Sequence, residues 1–461
     1  MAPPKPSKHT ISQQAFDEMV SENITDLGMD PTEALADAIE TLTLQNVDLS
    51  GIITSTLPGQ PNPVLQSLDR IKDEVLKKTH FEELVLSEMV DELVGLCDVE
   101  GEGEGNVAVC GRNGVVELMC EVCGRNGGMG MRVRVSALNA LALFVRDIQS
   151  TEIFQKSGGP KMVVSILNDG IENVNVLNSG FAVVAAAATG NEVIKESFVE
   201  LHIHELMINV MRKHGKGSIP SLYDAIRVLL AADDNRVVAS QVFGYARQFA
   251  KIGITEALVE SLKDGLSSPS LVSATIALKA IAVNDDICRS VAENGGIDSL
   301  LICIDDAGVQ GNSIVAKACC SLLSKLAGSD FNKSAIVERG GLNRLITLSS
   351  RLADDPSVIQ EVMTIICILC LRSPGNATLA IEAGAGDLAI QSMQKFPEAY
   401  QLQKNSCLMI RNLVARNPEN RTLLLGNGIE KIIRKAKENH KSCKDAATAA
   451  LRDLGLDNYN S

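Results

Sequence analysis

The chain contains no tryptophan, and aromatic residues make up only 3% of it. An all-β sandwich normally relies on aromatic and β-branched alternation, so that class is disfavoured. Long apolar runs are missing too. The longest, FAVVAAAATG at 181–190 and IICILCL at 365–371, fall well short of the roughly 20 residues that cross a bilayer, so no membrane association is expected. The start, MAPPKPSKHT, lacks the apolar core of a secretory signal. A basic excess is also absent. The net charge is −14, whereas a nucleic-acid binder carries a basic face with interleaved aromatics. The expected location is the cytoplasm, and also the nucleus. The twelve cysteines sit mostly inside apolar helical patterns, which points to free buried thiols rather than a disulfide framework.

What is present begins with uneven charge. Residues 11–56 hold nine acids and neither Lys nor Arg, and 57–105 hold twelve acids against four bases, which leaves 106–461 near neutrality at +1. Residues 1–10 read as a disordered tail. Residues 11–56 read as two acidic amphipathic helices broken near GMDP, and 57–64, LPGQPNPV, as a Pro/Gly linker. The whole chain is 45% hydrophobic, and the remainder, 65–461, carries Ala, Leu, Val and Ile at steps of three and four, the helical spacing.

That remainder repeats. VAENGGIDSLL at 291–301 returns as IVERGGLNRLI at 336–346. With the last small residue before the apolar run as marker, copies fall at Gly114, Gly159, near His202, and at Gly253, Gly296, Gly341, Ala385 and Gly428. The steps are 45, 43, 51, 43, 45, 44 and 43 residues. A period this steady means a stacked array of about eight units. Each unit reads as a short helix, a glycine hinge where φ must turn positive, a second helix, a turn often holding Pro (Pro220, Pro269, Pro356, Pro397), and a longer third helix. In LVSATIALKAIAV, Leu271, Ala274, Leu278 and Ile281 share one face. One unit is too small to bury its own apolar faces, so stacking completes the core. The 51-residue step places an insertion in DDNRVVASQVFGYARQFAKIG, as an extra turn or a longer first helix, and the terminal CKDAATAALRDLGLDNY reads as a capping helix.

The period, the glycine hinge, the three helices and the segment RNLVARNPENR at 411–421 resemble the armadillo repeat over roughly 80–461. The N-terminal run QQAFDEMVSENITDLGMDPTEALADAIETLTLQNVDLSGII and the closing AALRDLGL extend the likeness to the armadillo repeat-containing protein 6 family. The resemblance implies an all-α armadillo-type α-solenoid superhelix behind an acidic helical N-terminal segment. It also implies an interaction protein, not an enzyme, with no cofactor. In such proteins the third helices line a concave groove, and importin-α-like members carry an Asn ladder there with Trp beside it. The matching column here reads Val228, Ala280, Lys325, Ile368 and Asn412, so one Asn remains and no Trp is present. A single amide cannot satisfy a strand running across many repeats, and a classical import receptor is not expected.

One residue earlier the column reads Arg227, Lys279, Ser324, Cys367 and Arg411. With Lys325 this places four cations on third helices. They read either as ordinary solvated charge or as a groove for an acidic segment, from a protein partner or from residues 11–56 of the same chain. No metal is expected. Cys120 and Cys123 form one CxxC, but Cys97 and Cys110 do not form the second pair that structural zinc wants. His202 and His204 are spaced to converge poorly. Cys367 and Cys370 read as core thiols. CGRNGGMGMR at 123–132 lacks the Gly-Lys-Ser/Thr of a phosphate loop, and no catalytic constellation can be assembled. The functional expectation is a non-enzymatic scaffold acting through the concave face, with a chaperone cofactor or small-GTPase regulator as the alternative and an enzyme with a fold-assembled site behind both.

Overall fold

The computed structural model describes residues 9–11, 13–49, 52–54, 62–76, 83–98, 103–125, 130–214, 218–231 and 239–456. Parts of the expected tail (1–8), linker (57–61), acidic loop (99–102), glycine-rich loop (126–129) and insertion (232–238) lie outside them. The described residues form 28 α-helices, with two short 3-10 turns and one pair of two-residue strands. Contacts divide the chain into two compact units, 1–203 and 204–461.

At the N-terminus, helices Gln13–Thr25 and Pro31–Leu44 pack around Phe16, Val20, Ala34, Ala38, Leu42 and Ile52. The break comes where expected. Gly28 takes φ 68, and the Asp30 carboxylate accepts from the Thr32 N–H as Pro31 opens the second helix. His9–Thr10, within the range read as a disordered tail, pairs in parallel with Val47–Asp48. The Gln13 side chain donates to the Ile53 carbonyl and accepts from the Ile53 N–H, which ties the segment's ends together.

The array starts with helices Pro63–Leu76 and Glu83–Cys97, which pack on each other. Three-helix units follow. First helices are nine residues long at Ile148–Lys156, Glu192–Glu200, Asp285–Glu293, Asp330–Glu338, Pro374–Glu382 and Pro418–Gly426, but 13 at Ala239–Lys251. The 51-residue step therefore contains a longer first helix. Third helices stack in series. In the first unit Glu83–Cys97 packs on Met131–Phe144, and that on Val174–Ala188. In the second, Pro220–Leu229, Leu271–Ile281, Ser313–Leu326, Pro356–Cys370, Tyr400–Val414 and Lys444–Asp453 follow one another. Of the four turn prolines, Pro220 and Pro356 open their helices. Pro269 and Pro397 stay in the turn, two and three residues ahead of Leu271 and Tyr400, because further turn residues intervene there.

Asparagine repeats as the joint between units. Asn191, Asn284 and Asn417 cap first helices by accepting backbone N–H groups. Asn191 and Asn417 also donate across to Thr151 and Thr378 of the preceding first helices, at 2.9 and 2.8 Å. Three residues after the cap position, Asn332, Asn376 and Asn420 donate to the carbonyls that end the third helices, Leu326, Leu369 and Leu413. Those carbonyls have no partner within their own helix.

The hinge divides its work between two residues. Gly114, Gly253 and Gly428 have φ 82, 93 and 79. In the Gly-Gly units, however, the positive φ falls one residue before Gly159, Gly296 and Gly341, on Gly158, Gly295 and Gly340, and in the next unit on Gly384. The second glycine starts the helix in ordinary geometry, and what it requires is space. A Cβ on Gly296 would stand 2.6 Å from Val291 Cγ1 and 2.7 Å from the Val291 carbonyl oxygen, whereas one on Gly295 would meet nothing within 4 Å. The substitutions should separate accordingly. Gly295→Ala is expected to lose about 1–2 kcal/mol to left-handed strain, most of it recovered in Gly295→Asn. Gly296→Ala is expected to lose about 1–3 kcal/mol to overpacking, and Gly296→Asn more. Urea unfolding of the four variants checks this; an improvement on going from Ala to Asn at position 296 would contradict it. His202 takes the left-handed hinge position without being glycine, at φ 56.

Candidate functional site

The sequence-selected cations lie on third helices of the second unit, but they are not equivalent. Arg227 is half-exposed and sits 3.9 Å from Asp224, one turn earlier on its own helix. Arg411 is bound to Asp453 at 3.2 Å, a residue of the next third helix. Both are thereby largely neutralised. Lys279 donates to the Ser321 hydroxyl at 2.6 Å. Lys325 is exposed, and its side chain makes no hydrogen bond or ion pair among the described residues. Asn412 is half-buried and spends its amide N–H on the Cys367 carbonyl at 2.8 Å, linking Tyr400–Val414 to Pro356–Cys370. Its donor serves the stack.

Three further groups share this face and were not picked out from the sequence: Lys317, Glu361 and Lys404. All are half-exposed, and among the described residues their side chains lack hydrogen bonds and ion pairs. The available signal was helical spacing. Lys317 lies eight residues before Lys325 and Lys404 seven before Arg411, so each repeats its partner's face two turns back. Glu361 is the exception in sign. Burial raises its carboxyl above the ordinary range, while Lys279 and Lys317 pull it down. An incompletely neutralised carboxylate thus stands near Lys279 and Lys317, and with Lys325 and Lys404 on the neighbouring third helices the excess charge among these groups is positive. Ile276 on Leu271–Ile281 and Ile314 on Ser313–Leu326 are exposed at 38% and 65%, so the face also presents apolar surface to solvent.

The other candidates resolve differently. All twelve cysteines are free; eleven are buried and Cys367 is intermediate. Burial pushes the thiols of Cys120, Cys370 and Cys407 up to about 12 and that of Cys367 to about 11, which keeps them protonated and unreactive. His202 and His204 come closer than their spacing suggested. Within one turn of chain, donor atoms of His202, His204 and Glu205 lie within 4.8 Å of one another, because the left-handed His202 bends the backbone before helix Ile203–Lys213. The His204 ring is buried and stacks on Phe249 at 5.6 Å. A cavity of about 380 Å³ opens among Val210, Ile219, Leu222, Tyr223 and Ser261, and none of the third-helix lysines lines it. No helix among the described residues is long and apolar enough to cross a membrane.

Comparison with known proteins agrees with this architecture. The ARMC6 family profile matches residues 64–458, and the armadillo repeat-containing protein 6 N-terminal domain matches residues 8–77. The chain is 28% identical to human armadillo repeat-containing protein 6 over 393 residues, which is 80% of this chain and 75% of the human one. It is 24% identical to the Drosophila melanogaster homolog over 391 residues, 81% of this chain and 80% of that one. Among solved structures, an engineered protein superposes with a TM-score of 0.69 at 16% identity, covering 96% of this chain and 99% of that one. A structure from work on a phosphorylation switch controlling the interaction between cadherin and β-catenin gives 0.57 at 15% identity, covering 79% and 70%. These two likenesses concern the fold alone. The match to the ARMC6 profile over 64–458, taken with the armadillo-type fold, suggests a protein-interaction scaffold of a typically non-enzymatic kind. With both profiles matched in succession, the chain belongs to the armadillo repeat-containing protein 6 family.

Proposed function

We propose that this protein is a non-enzymatic interaction scaffold, cytoplasmic and also nuclear, whose third-helix face in residues 271–414 binds an acidic segment of a partner protein. The observation that carries the reading is the set Lys279, Lys317, Lys325 and Lys404, three of whose side chains make no ion pair or hydrogen bond among the described residues. Unpaired ammonium groups on neighbouring helices attract a carboxylate-rich chain without first breaking an internal salt bridge. Arg227 and Arg411, already paired, contribute less. The exposed Ile276 and Ile314 add apolar contact area beside the charges.

Glu361 fits the same reading. Its ionised form is disfavoured by burial in the free protein, and an acidic ligand would disfavour it further, so binding should draw a proton onto it and tighten as pH falls. The test is a titration of a fluorescent glutamate-rich peptide, followed by anisotropy. Joint replacement of Lys279, Lys317, Lys325 and Lys404 by Glu is expected to weaken binding at least about tenfold, since each exposed charge contributes a fraction of a kcal/mol. Reversal of Arg227 alone should change it little. Unaltered affinity in the quadruple variant would sink the reading. Neutralising Asp17, Glu18, Glu22, Glu33 and Glu40 to amides identifies the competitor: tighter peptide binding would mean that the chain's own acidic helices occupy the face.

A further inference from the structure

We propose that Cys97 and Cys110 form a modification site, a dithiol that hydrogen peroxide oxidises to an intrachain disulfide. The two sulfur atoms lie 3.9 Å apart, both buried, in the first unit. Cys97 is the last residue of helix Glu83–Cys97, and Cys110 stands two residues before the end of helix Gly103–Arg112. A hydrogen bond from the Asn106 amide to the Leu96 carbonyl at 2.7 Å holds the second helix against the end of the first. A disulfide requires about 2.05 Å, so the sulfurs must close by roughly 1.9 Å. Side-chain rotation covers much of that distance, and helix ends yield more readily than helix centres.

The two thiols are chemically unequal. The thiol–thiol hydrogen bond shared with Cys110 lowers the Cys97 thiol below its ordinary range, against burial that would raise it. The same hydrogen bond, then burial, raises Cys110, with Lys72 opposing. Cys97 also ends its helix and is the less buried of the two, at 4% against 0% exposure, so peroxide reaches it first and it acts as the nucleophile. Its thiolate attacks one peroxide oxygen, the O–O bond breaks, and with one proton the products are a Cys97 sulfenic acid and water. The Cys110 sulfur then attacks the Cys97 sulfur; the S–S bond forms, the S–O bond breaks, and the Cys110 proton leaves with hydroxide as a second water. In total two thiols are oxidised, one peroxide is reduced, and two waters are released. Cys303 and Cys319 form a second hydrogen-bonded thiol pair, but they sit inside helices Gly296–Gln310 and Ser313–Leu326, at 1% and 0% exposure, away from any helix end. They provide an internal comparison.

The experiment uses the full chain. It is exposed to equimolar hydrogen peroxide, denatured in iodoacetamide and digested with trypsin. Residues 79–112 contain no internal Lys or Arg, so one peptide carries both cysteines. The expected result is that this peptide loses the mass of two hydrogens and takes no alkyl group, reversibly with dithiothreitol. Cys303 and Cys319 should remain alkylated. In Cys110→Ser, dimedone should label Cys97; Cys110→Ala replaces that variant if the serine protein does not fold. A peptide that keeps two alkyl groups after peroxide overturns the proposal. So does equal loss of all thiols, or dimedone that fails to label Cys97 in either variant.

Discussion

Replacing Lys195 by Glu is expected to cost about 4 kcal/mol, whereas Lys195→Met is expected to change stability by less than about 1.5 kcal/mol. Lys195 lies on first helix Glu192–Glu200, and its side chain is fully buried, a rare position for an ammonium group. Its Nζ is 3.1 Å from the Glu192 carboxylate, whose side chain remains 22% exposed. The asymmetry decides the prediction. Methionine retains most of the aliphatic stem and leaves no buried charge, while the partly exposed Glu192 can turn to water. Glutamate instead places a second carboxylate beside the first in a site closed to water. Because a solenoid's stability is nearly a sum of local terms, hydrogen exchange of residues 192–200 is the measurement, supported by guanidinium unfolding. Equal losses for the two variants would mean that the polar contacts of the amine, and not the burial of charge, set its value.

Asn332→Asp should be the most damaging single-atom exchange in the array, about 4 kcal/mol or more at neutral pH. Asn332 is fully buried, and its amide donates to two carbonyls, Cys288 at 2.9 Å and Leu326 at 3.1 Å. It thereby joins three helices: its own, the preceding first helix, and the preceding third. An aspartate there cannot donate when ionised, and it aims negative charge at two carbonyl oxygens. Alanine merely leaves both carbonyls unsatisfied, for about 2–3 kcal/mol.

The pH dependence separates the two variants. The folded state would favour the neutral acid, which can donate one hydrogen bond, so the aspartate's folded pKa lies above its unfolded value near 3.9. The folded protein then binds more protons than the unfolded one between those values. The Asn332→Asp deficit is smallest below the unfolded pKa and grows as pH rises through the folded one; the alanine deficit stays flat. Urea unfolding across that range tests it, and a pH-independent aspartate deficit would contradict it. Asn420→Asp, with one carbonyl partner, should follow at smaller cost, and the half-buried Asn376→Asp at less again.

Much of the architecture was legible because it is written locally and then repeated. A hinge, glycine in all but one unit, apolar residues at steps of three and four, and Asn before a new helix each act within a few residues of themselves. Eight copies average out the ambiguity of any one. The insertion in the third step was legible for the same reason, since a break in a steady period has a definite place, although whether it was an extra turn or a longer first helix was not. Even so, local reading could not say which glycine of a pair bends the chain. Gly295 and Gly296 are chemically identical, and only the crowding against Val291 distinguishes them.

The face of the third helices divides along the same line. That Arg227, Lys279, Lys325 and Arg411 share a helix class followed from the period. That Arg411 is taken by Asp453, and that Asn412 is turned inward to Cys367, did not. Those partners lie more than 40 residues away in sequence, one repeat over, and their distance depends on how adjacent units pack. The same packing leaves the Lys317 side chain unpaired near a half-buried Glu361, and that of Lys404 unpaired on Tyr400–Val414. The sequence by itself determined the unit, its number and its stacking, because helix formation and hinge geometry are short-range. Only the tertiary structure decided which charges remain available to a partner, because pairing is settled between repeats rather than within one.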